Sequence, residues 1–116
     1  MTPIELRIAA DHPSFTGHFP GRPLLPGVAL LAEVLEAVLA DPELAGLVGA
    51  APHLSSAKFL APVGPGATLV LRFETTPATL RFEISNGARL AASGAFERVA
   101  VDAAGRAAAG SARAAS

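Results

Sequence analysis

The sequence predicts an α+β fold in which an antiparallel sheet wraps one central apolar helix. Three observations carry this expectation. First, residues 27–39 place Val28, Leu30, Leu31, Val34, Leu35, Val38 and Leu39 around almost the whole circumference of a helix, with Glu33 and Glu36 as its only charges. A helix that is apolar on nearly every side has to be covered on nearly every side. Second, four segments of strand character follow, at 53–62, 68–75, 79–85 and 90–101, separated by short turn sequences in the manner of an antiparallel meander. Third, the chain has 116 residues, enough for one domain with one core. In so small a chain a curved sheet, completed by a second copy, has to do the covering.

Each element has its own warrant. In 4–9, Ile4, Leu6 and Ile8 alternate with Glu5, Arg7 and Ala9, the period of a strand with one buried face. The stretch 11–27 holds four prolines and three glycines, which forbid regular structure. Phe15, Phe19, Leu24 and Leu25 give it apolar anchors, so it reads as an ordered, packed loop. Pro26 suits the start of the helix, and Asp41-Pro42 ends it. Val63-Gly64-Pro65-Gly66 reads as a turn, and Asn86-Gly87 as a tight hairpin turn. From Asp102 onward the chain is Ala, Gly, Ser and Arg with no apolar period. Residues 1–101 are therefore expected to form the single domain, and 102–116 a flexible tail. A helix followed by a wrapped meander is the hotdog architecture, whose dimers share a continuous sheet. A ferredoxin-like or cystatin-like layout would also set a helix on antiparallel strands.

Composition excludes several classes of function. Nine basic residues stand against ten acidic ones, with a net charge of −1 and no run of like charge. Nucleic-acid binding has nothing to drive it. The six phenylalanines, without Trp or Tyr, do not make a base-stacking platform on a basic face. The absence of Cys rules out disulfides, thiolate catalysis and Cys-ligated zinc. His12 and His53 read as structural or exposed, and their spacing matches no metal site. The first residues lack a secretory pattern, and Glu33 and Glu36 break the longest apolar run before it could span a bilayer. A cytoplasmic protein that meets no membrane is expected. Arg72, Arg81, Arg89 and Arg98 alternate with apolar residues and read as charges on the outer face of the sheet.

The loop and the helix that follows it carry the chemistry. His18-Phe19-Pro20-Gly21-Arg22-Pro23-Leu24-Leu25-Pro26-Gly27-Val28, preceded by Asp11-His12-Pro13-Ser14-Phe15-Thr16-Gly17, resembles the signature of the FabA/FabZ-type 3-hydroxyacyl-acyl-carrier-protein dehydratases. Ala57-Lys58-Phe59-Leu60-Ala61-Pro62-Val63-Gly64-Pro65-Gly66 is similar to that family's following strand and turn. The likeness is strong over 10–36 and looser over 54–75. It implies a hotdog-fold hydro-lyase that removes water from a 3-hydroxyacyl thioester in fatty-acid-like or polyene biosynthesis. The partner it implies is an acyl carrier protein bearing the acyl phosphopantetheine. It also implies a homodimer or a heterodimer with another hotdog subunit, since in this family the histidine and the acid meet across the dimer interface. No cofactor and no metal are implied, because the thioester itself makes the C2 proton acidic enough for a positioned base.

Such an elimination needs a base for the C2 proton, a donor for the thioester oxygen and an acid for the departing hydroxyl. The resemblance assigns the base to His18, and an imidazole with an ordinary pKa of about 6.5 can accept a proton near neutrality. It assigns the oxyanion donor to the amide of Gly27, at the start of the apolar helix, where free N–H groups and the helix dipole favour negative charge. Arg22 lies beside the motif, where it could meet an acidic carrier protein or its phosphopantetheine. Phe15, Phe19, Leu31 and Leu35 could line an acyl tunnel as well as pack the core.

The acid departs from the family pattern. The family places Glu or Asp fourteen residues after the catalytic histidine, and here that residue is Ala32. Glu33 is rotated from it by about 100°, whereas Glu36, one turn on, lies within about 40° of the same face. Three readings stay open. Glu36 or Glu33 supplies the acid through a shifted pocket. Alternatively, the protein is a non-catalytic hotdog subunit that binds acyl chains or pairs with a competent dehydratase. In the third, a carboxylate activates water and the protein is a hotdog thioesterase.

Overall fold

The computed structural model describes residues 2–15 and 24–99. Its elements, in chain order, are β1 (Ile4–Arg7), a 3-10 turn (Pro13–Phe15), α1 (Gly27–Ala40), α2 (Pro42–Val48), β2 (Leu54–Phe59), β3 (Thr68–Thr75), β4 (Thr79–Asn86) and β5 (Arg89–Glu97). The five strands form one sheet in the order β1-β3-β4-β5-β2, antiparallel at every pairing. The two helices carry the chain from β1 at one edge to β2 at the other. This is the α+β arrangement the sequence predicts. The expected tail, 102–116, lies outside the described residues.

Alternation decides which face of the sheet meets the helices. On β4, Leu80, Phe82 and Ile84 are buried while Arg81 and Glu83 are exposed. On β3, Leu69 and Leu71 point inward and Arg72 outward. These side chains form one core with Leu30, Val34 and Val38 of α1 and with Leu44 and Val48 of α2. Cross-strand neighbours on the outer face are matched in charge, Arg72 with Glu83 and Glu74 with Arg81, which is favourable in an antiparallel pair. Arg98 is the exception among the arginines expected there. Its guanidinium donates to the carbonyl of Thr76 at 2.8 Å and pins the end of β5 to the β3–β4 turn.

Two features differ from expectation. The segment after α1 is not a bare connector. Asp41, read as a helix stop, also starts a second helix, its carboxylate accepting from the amides of Glu43 (2.9 Å) and Leu44 (3.1 Å), with Pro42 in the first helical turn. The β4–β5 hairpin is offset by one residue. Asn86 pairs with Arg89, so Gly87 and Ala88 are the central pair, and Gly87 takes the positive φ of 64° that favours glycine. Within one chain α1 is not buried all round, as expected of a helix whose cover is left in part to a second copy. Only the stripe Leu30, Val34, Val38 is fully covered, and Val28 is 79% exposed. Leu31 and Leu35 are partly buried against the core. Val28, Ala32 and Leu39 face outward, and β2 forms a sheet edge.

Candidate active site

The start of α1 is held from two directions. The N–H of Leu25, itself buried, donates to the carbonyl of Val63 at 2.8 Å, tying the loop before the helix to the turn after β2. Pro26 is extended (φ −61°, ψ 148°) and turns the chain into the helix without a side-chain cap. Its carbonyl accepts from Ala29 and Leu30, both at 3.0 Å. The amides of Gly27 and Val28 have no helical carbonyl within reach, as geometry requires of a first turn. They therefore remain donors at the positive end of the helix dipole.

Those donors open on a groove of about 710 Å³, formed by residues 24–28 and Leu30 on one side and residues 59–63 on the other. Its walls are almost wholly apolar. Phe59 lies across Gly27, so that a Cβ there would sit 2.8 Å from the tip of the ring. This close approach is what calls for glycine at the position. The ring is 50% exposed, resting on the helix start from the groove side.

A second hollow of about 190 Å³ adjoins the first, with Val28 lining both. Leu31, Ala32 and Leu35 form its helix wall, and Pro52, Leu54 and Phe96 its sheet wall. Leu31 and Leu35, expected along an acyl tunnel, are thus brought together with Ala32. Among the described residues, no carboxylate lines this hollow.

The two glutamates go different ways. Glu33 lies on the opposite flank of α1 from Leu31 and Leu35, as its rotation of about 100° from Ala32 requires. There its Oε2 is 2.9 Å from Nε2 of His12, with both side chains mostly covered. The His12 ring stands edge-on to Phe15, their centroids 6.1 Å apart, and Phe15 packs against the core. Glu36 is exposed one turn beyond Ala32. His53 is a surface residue paired with Glu97. Among the described residues, no group of His, Asp and Glu could hold a metal ion, and no helix is long and apolar enough to cross a membrane. His18, Phe19 and Arg22 lie outside the described residues.

Two participants were not legible in advance. Phe59 read as one more apolar strand residue, and its place over Gly27 depends on β2 being the strand that returns beside the helix start. The His12–Glu33 contact joins residues 21 apart in sequence. Its only trace is a single acidic residue on the flank of α1 facing the loop.

The chain matches the ApeI-like family, described as ApeI dehydratase, over residues 2–95, and it belongs to that family. It is 39% identical over 71 residues to the 3-hydroxyacyl-[acyl-carrier-protein] dehydratase FabZ of Symbiobacterium thermophilum, covering 58% of this chain and 50% of that protein. With the FabZ of Chloroflexus aggregans it shares 37% identity over 87 residues, 72% of this chain and 59% of that protein. The chain thus spans little more than half the length of these curated relatives. Among solved structures it is similar to the dehydratase heterocomplex ApeI:P from Xenorhabdus doucetiae, with a TM-score of 0.66 and 28% identity over 83% of this chain and 84% of that one. A broad-specificity acyl-coenzyme A thioesterase, at 16% identity and a TM-score of 0.50 over 91% of this chain and 83% of that one, shares the fold alone. The fold is the hotdog fold.

Proposed function

We propose that the protein acts as a dehydratase on 3-hydroxyacyl thioesters carried by an acyl carrier protein, eliminating water to give the trans-2-enoyl thioester. The single observation that carries the reading is the uncapped start of α1 opening on a long apolar groove, a donor pair beside a place for an acyl chain. In this reading the thioester oxygen accepts from the Gly27 amide. That polarises the carbonyl and lowers the cost of removing the C2 proton. His18 takes that proton. The hydroxyl leaves with a proton from Glu36, whose position one turn beyond Ala32 keeps it near the face where the family carries its acid. Arg22 meets the carrier protein or its phosphopantetheine, Phe19 adds to the acyl-binding wall, and 102–116 is a tail outside the domain. A cytoplasmic location goes with this reading and is checked by cell fractionation.

The protein works as a hotdog pair, with itself or with a second hotdog subunit. Val28 and Leu39 of α1 are exposed apolar residues, Val28 shares a hollow with Leu54 of the edge strand β2, and a relative of similar fold is described as a heterocomplex. In the pair, the partner completes the site around the outward face of α1.

The test is turnover of 3-hydroxyacyl and trans-2-enoyl thioesters, followed by enoyl absorbance in both directions. Interconversion is expected, and His18→Ala should reduce it by at least about 10²-fold. Glu36→Gln should lower it as well. No interconversion, either alone or with a second hotdog subunit, sinks the enzyme reading in favour of a non-catalytic acyl-binding subunit. Release of free thiol without enoyl product would make it a thioesterase.

A further inference from the structure

The described residues contain two histidine–carboxylate pairs, and burial separates them. His53 Nδ1 lies 3.0 Å from Glu97 Oε1 with side chains 70% and 55% exposed. A pair so solvated contributes little. His12 Nε2 lies 2.9 Å from Glu33 Oε2 with side chains only 18% and 26% exposed. It joins the beginning of the loop to the second turn of α1, two parts of the chain that no strand pairing connects.

The surroundings make this contact a fixed point. The His12 amide donates to the carbonyl of Ala9 at 3.1 Å, and the His12 carbonyl accepts from the amide of Phe15 at 3.0 Å. The backbone of His12 is therefore held on both sides. Its ring is held by the edge contact with Phe15 and by Glu33. On α1, the residues one turn either side of Glu33 on the same flank are Ala29 and Ala37, both partly buried. Small side chains there leave room for the loop to approach the helix closely.

We propose that the His12–Glu33 pair is a strut that fixes the near end of the loop to α1, making both residues positioning residues. His18 follows Phe15 after only Thr16 and Gly17, and three residue steps reach at most about 11 Å. Where Phe15 is fastened therefore bounds where the imidazole of His18 can act. Glu33 stands six residues beyond Gly27, about 9 Å along the helix axis. One rigid helix thus carries both the proposed oxyanion donor and the carboxylate that fastens the loop bearing the proposed base. Reactions of positioned groups are sensitive to shifts of about 1 Å, so a loosened strut acts on the chemical step. This inference rests on the dehydratase reading for what the strut serves, but not for the strut itself.

The experiment has two arms on the full chain. In the first, His12→Ala, Glu33→Ala, Glu33→Gln and the double alanine variant are assayed for thioester dehydration. Each single alanine should lower kcat about ten- to a hundredfold while KM stays within about twofold. The double variant should be no slower than the worse single one, because both remove the same contact. Glu33→Gln, whose amide oxygen still accepts the imidazole hydrogen, should stay within about threefold of the wild type. His53→Ala should match the wild type. If Glu33→Gln is as slow as Glu33→Ala while His12→Ala is unimpaired, Glu33 is the proton donor and the strut is overturned. Unchanged kcat in every variant overturns it too. In the second arm, amide hydrogen exchange is measured over residues 10–15. His12→Ala and Glu33→Ala should each speed exchange in that peptide by about tenfold or more, with exchange in the β3–β5 core unchanged. Unaltered exchange in 10–15 overturns the strut whatever the turnover. If the wild type fails to turn over while the exchange difference is present, the strut stands and the dehydratase reading falls.

Discussion

Gly27→Ala separates what the helix start does for stability from what it does for chemistry. The added methyl would meet Phe59 at 2.8 Å (Cζ), 3.0 Å (Cε2) and 3.1 Å (Cε1). Comfortable carbon–carbon separations are about 3.5–4.0 Å, so the ring has to retreat by about 1 Å. It can do so, because it is half exposed and the space beside it is the groove. Moving a side chain off its rotamer costs about 0.5–1.5 kcal/mol, and alanine offsets up to about 1 kcal/mol of that through its better helix propensity. The net change in folding free energy is therefore within about 1 kcal/mol, a shift of no more than about 8 °C in Tm. Activity should respond far more. The methyl and the displaced ring both occupy the approach to the Gly27 amide, and losing one oxyanion donor costs about 10²–10³-fold. Enoyl formation measured alongside thermal unfolding should show kcat/KM down about 10²-fold with Tm nearly unchanged. Adding Phe59→Leu frees the ring's share of the space and should restore part of the loss. Full activity in Gly27→Ala would refute the placing of the thioester oxygen at this amide. A Tm drop well beyond 8 °C would show that Phe59 cannot yield.

Three further outcomes follow from the packing. Gly94→Ala puts a Cβ 2.5 Å from the Ser56 carbonyl oxygen and 2.5 Å from Cζ of the buried Phe82. Neither can retreat, so denaturant unfolding should show a loss of about 2–3 kcal/mol, and a loss under about 0.5 kcal/mol contradicts the β2–β5 register. Asp41→Ala leaves two amides of α2 without their acceptor and should cost about 1 kcal/mol in the same measurement. Val28→Asp, at a position 79% exposed in the single chain, should leave the fold intact by circular dichroism. In sedimentation velocity it should convert a paired species to a monomer. A wild type that pairs while the variant pairs equally well would place the interface elsewhere.

Periodicity made the sheet legible because its strands are amphipathic at a period of two. Residues 68–75 run as β3 where expected, and Leu80, Phe82 and Ile84 fall on one face without ambiguity. The 42–48 helix escaped because Pro, Gly and Ala mask a short helix whose only apolar anchors are Leu44, Leu47 and Val48. Its real signal was local chemistry, an Asp followed by Pro and Glu. The β5 boundary was blurred for a related reason. Its ladder to β4 shifts near Ser85, leaving Ala91 and Ala92 buried in succession, so strict alternation fails at the place where the Ala91 carbonyl accepts from the amides of Leu60 and Ala61.

The helix poses the deeper problem, because two kinds of burial write the same letters into a sequence. Leu30, Val34 and Val38 are apolar because this chain's own sheet covers them. Val28 and Leu39 are equally apolar, yet this chain leaves them exposed. Hydropathy cannot tell which surface will do the covering, so a helix apolar all round is evidence of total burial without evidence of by whom. The charged residues resolve what the apolar ones cannot. Glu33 marks the flank that faces the loop, because it finds His12 there. Glu36 is exposed beside the outward face. Between the core stripe and these two carboxylates, the remaining arc of Val28, Leu31, Ala32 and Leu35 is the part of α1 whose cover is incomplete, and it is the arc that meets both hollows. On α1 itself the carboxylate nearest that arc is Glu36, displaced by one helical turn. With Glu36 as the acid of the proposed reaction, the leaving group departs one turn further along the helix than the family pattern places it.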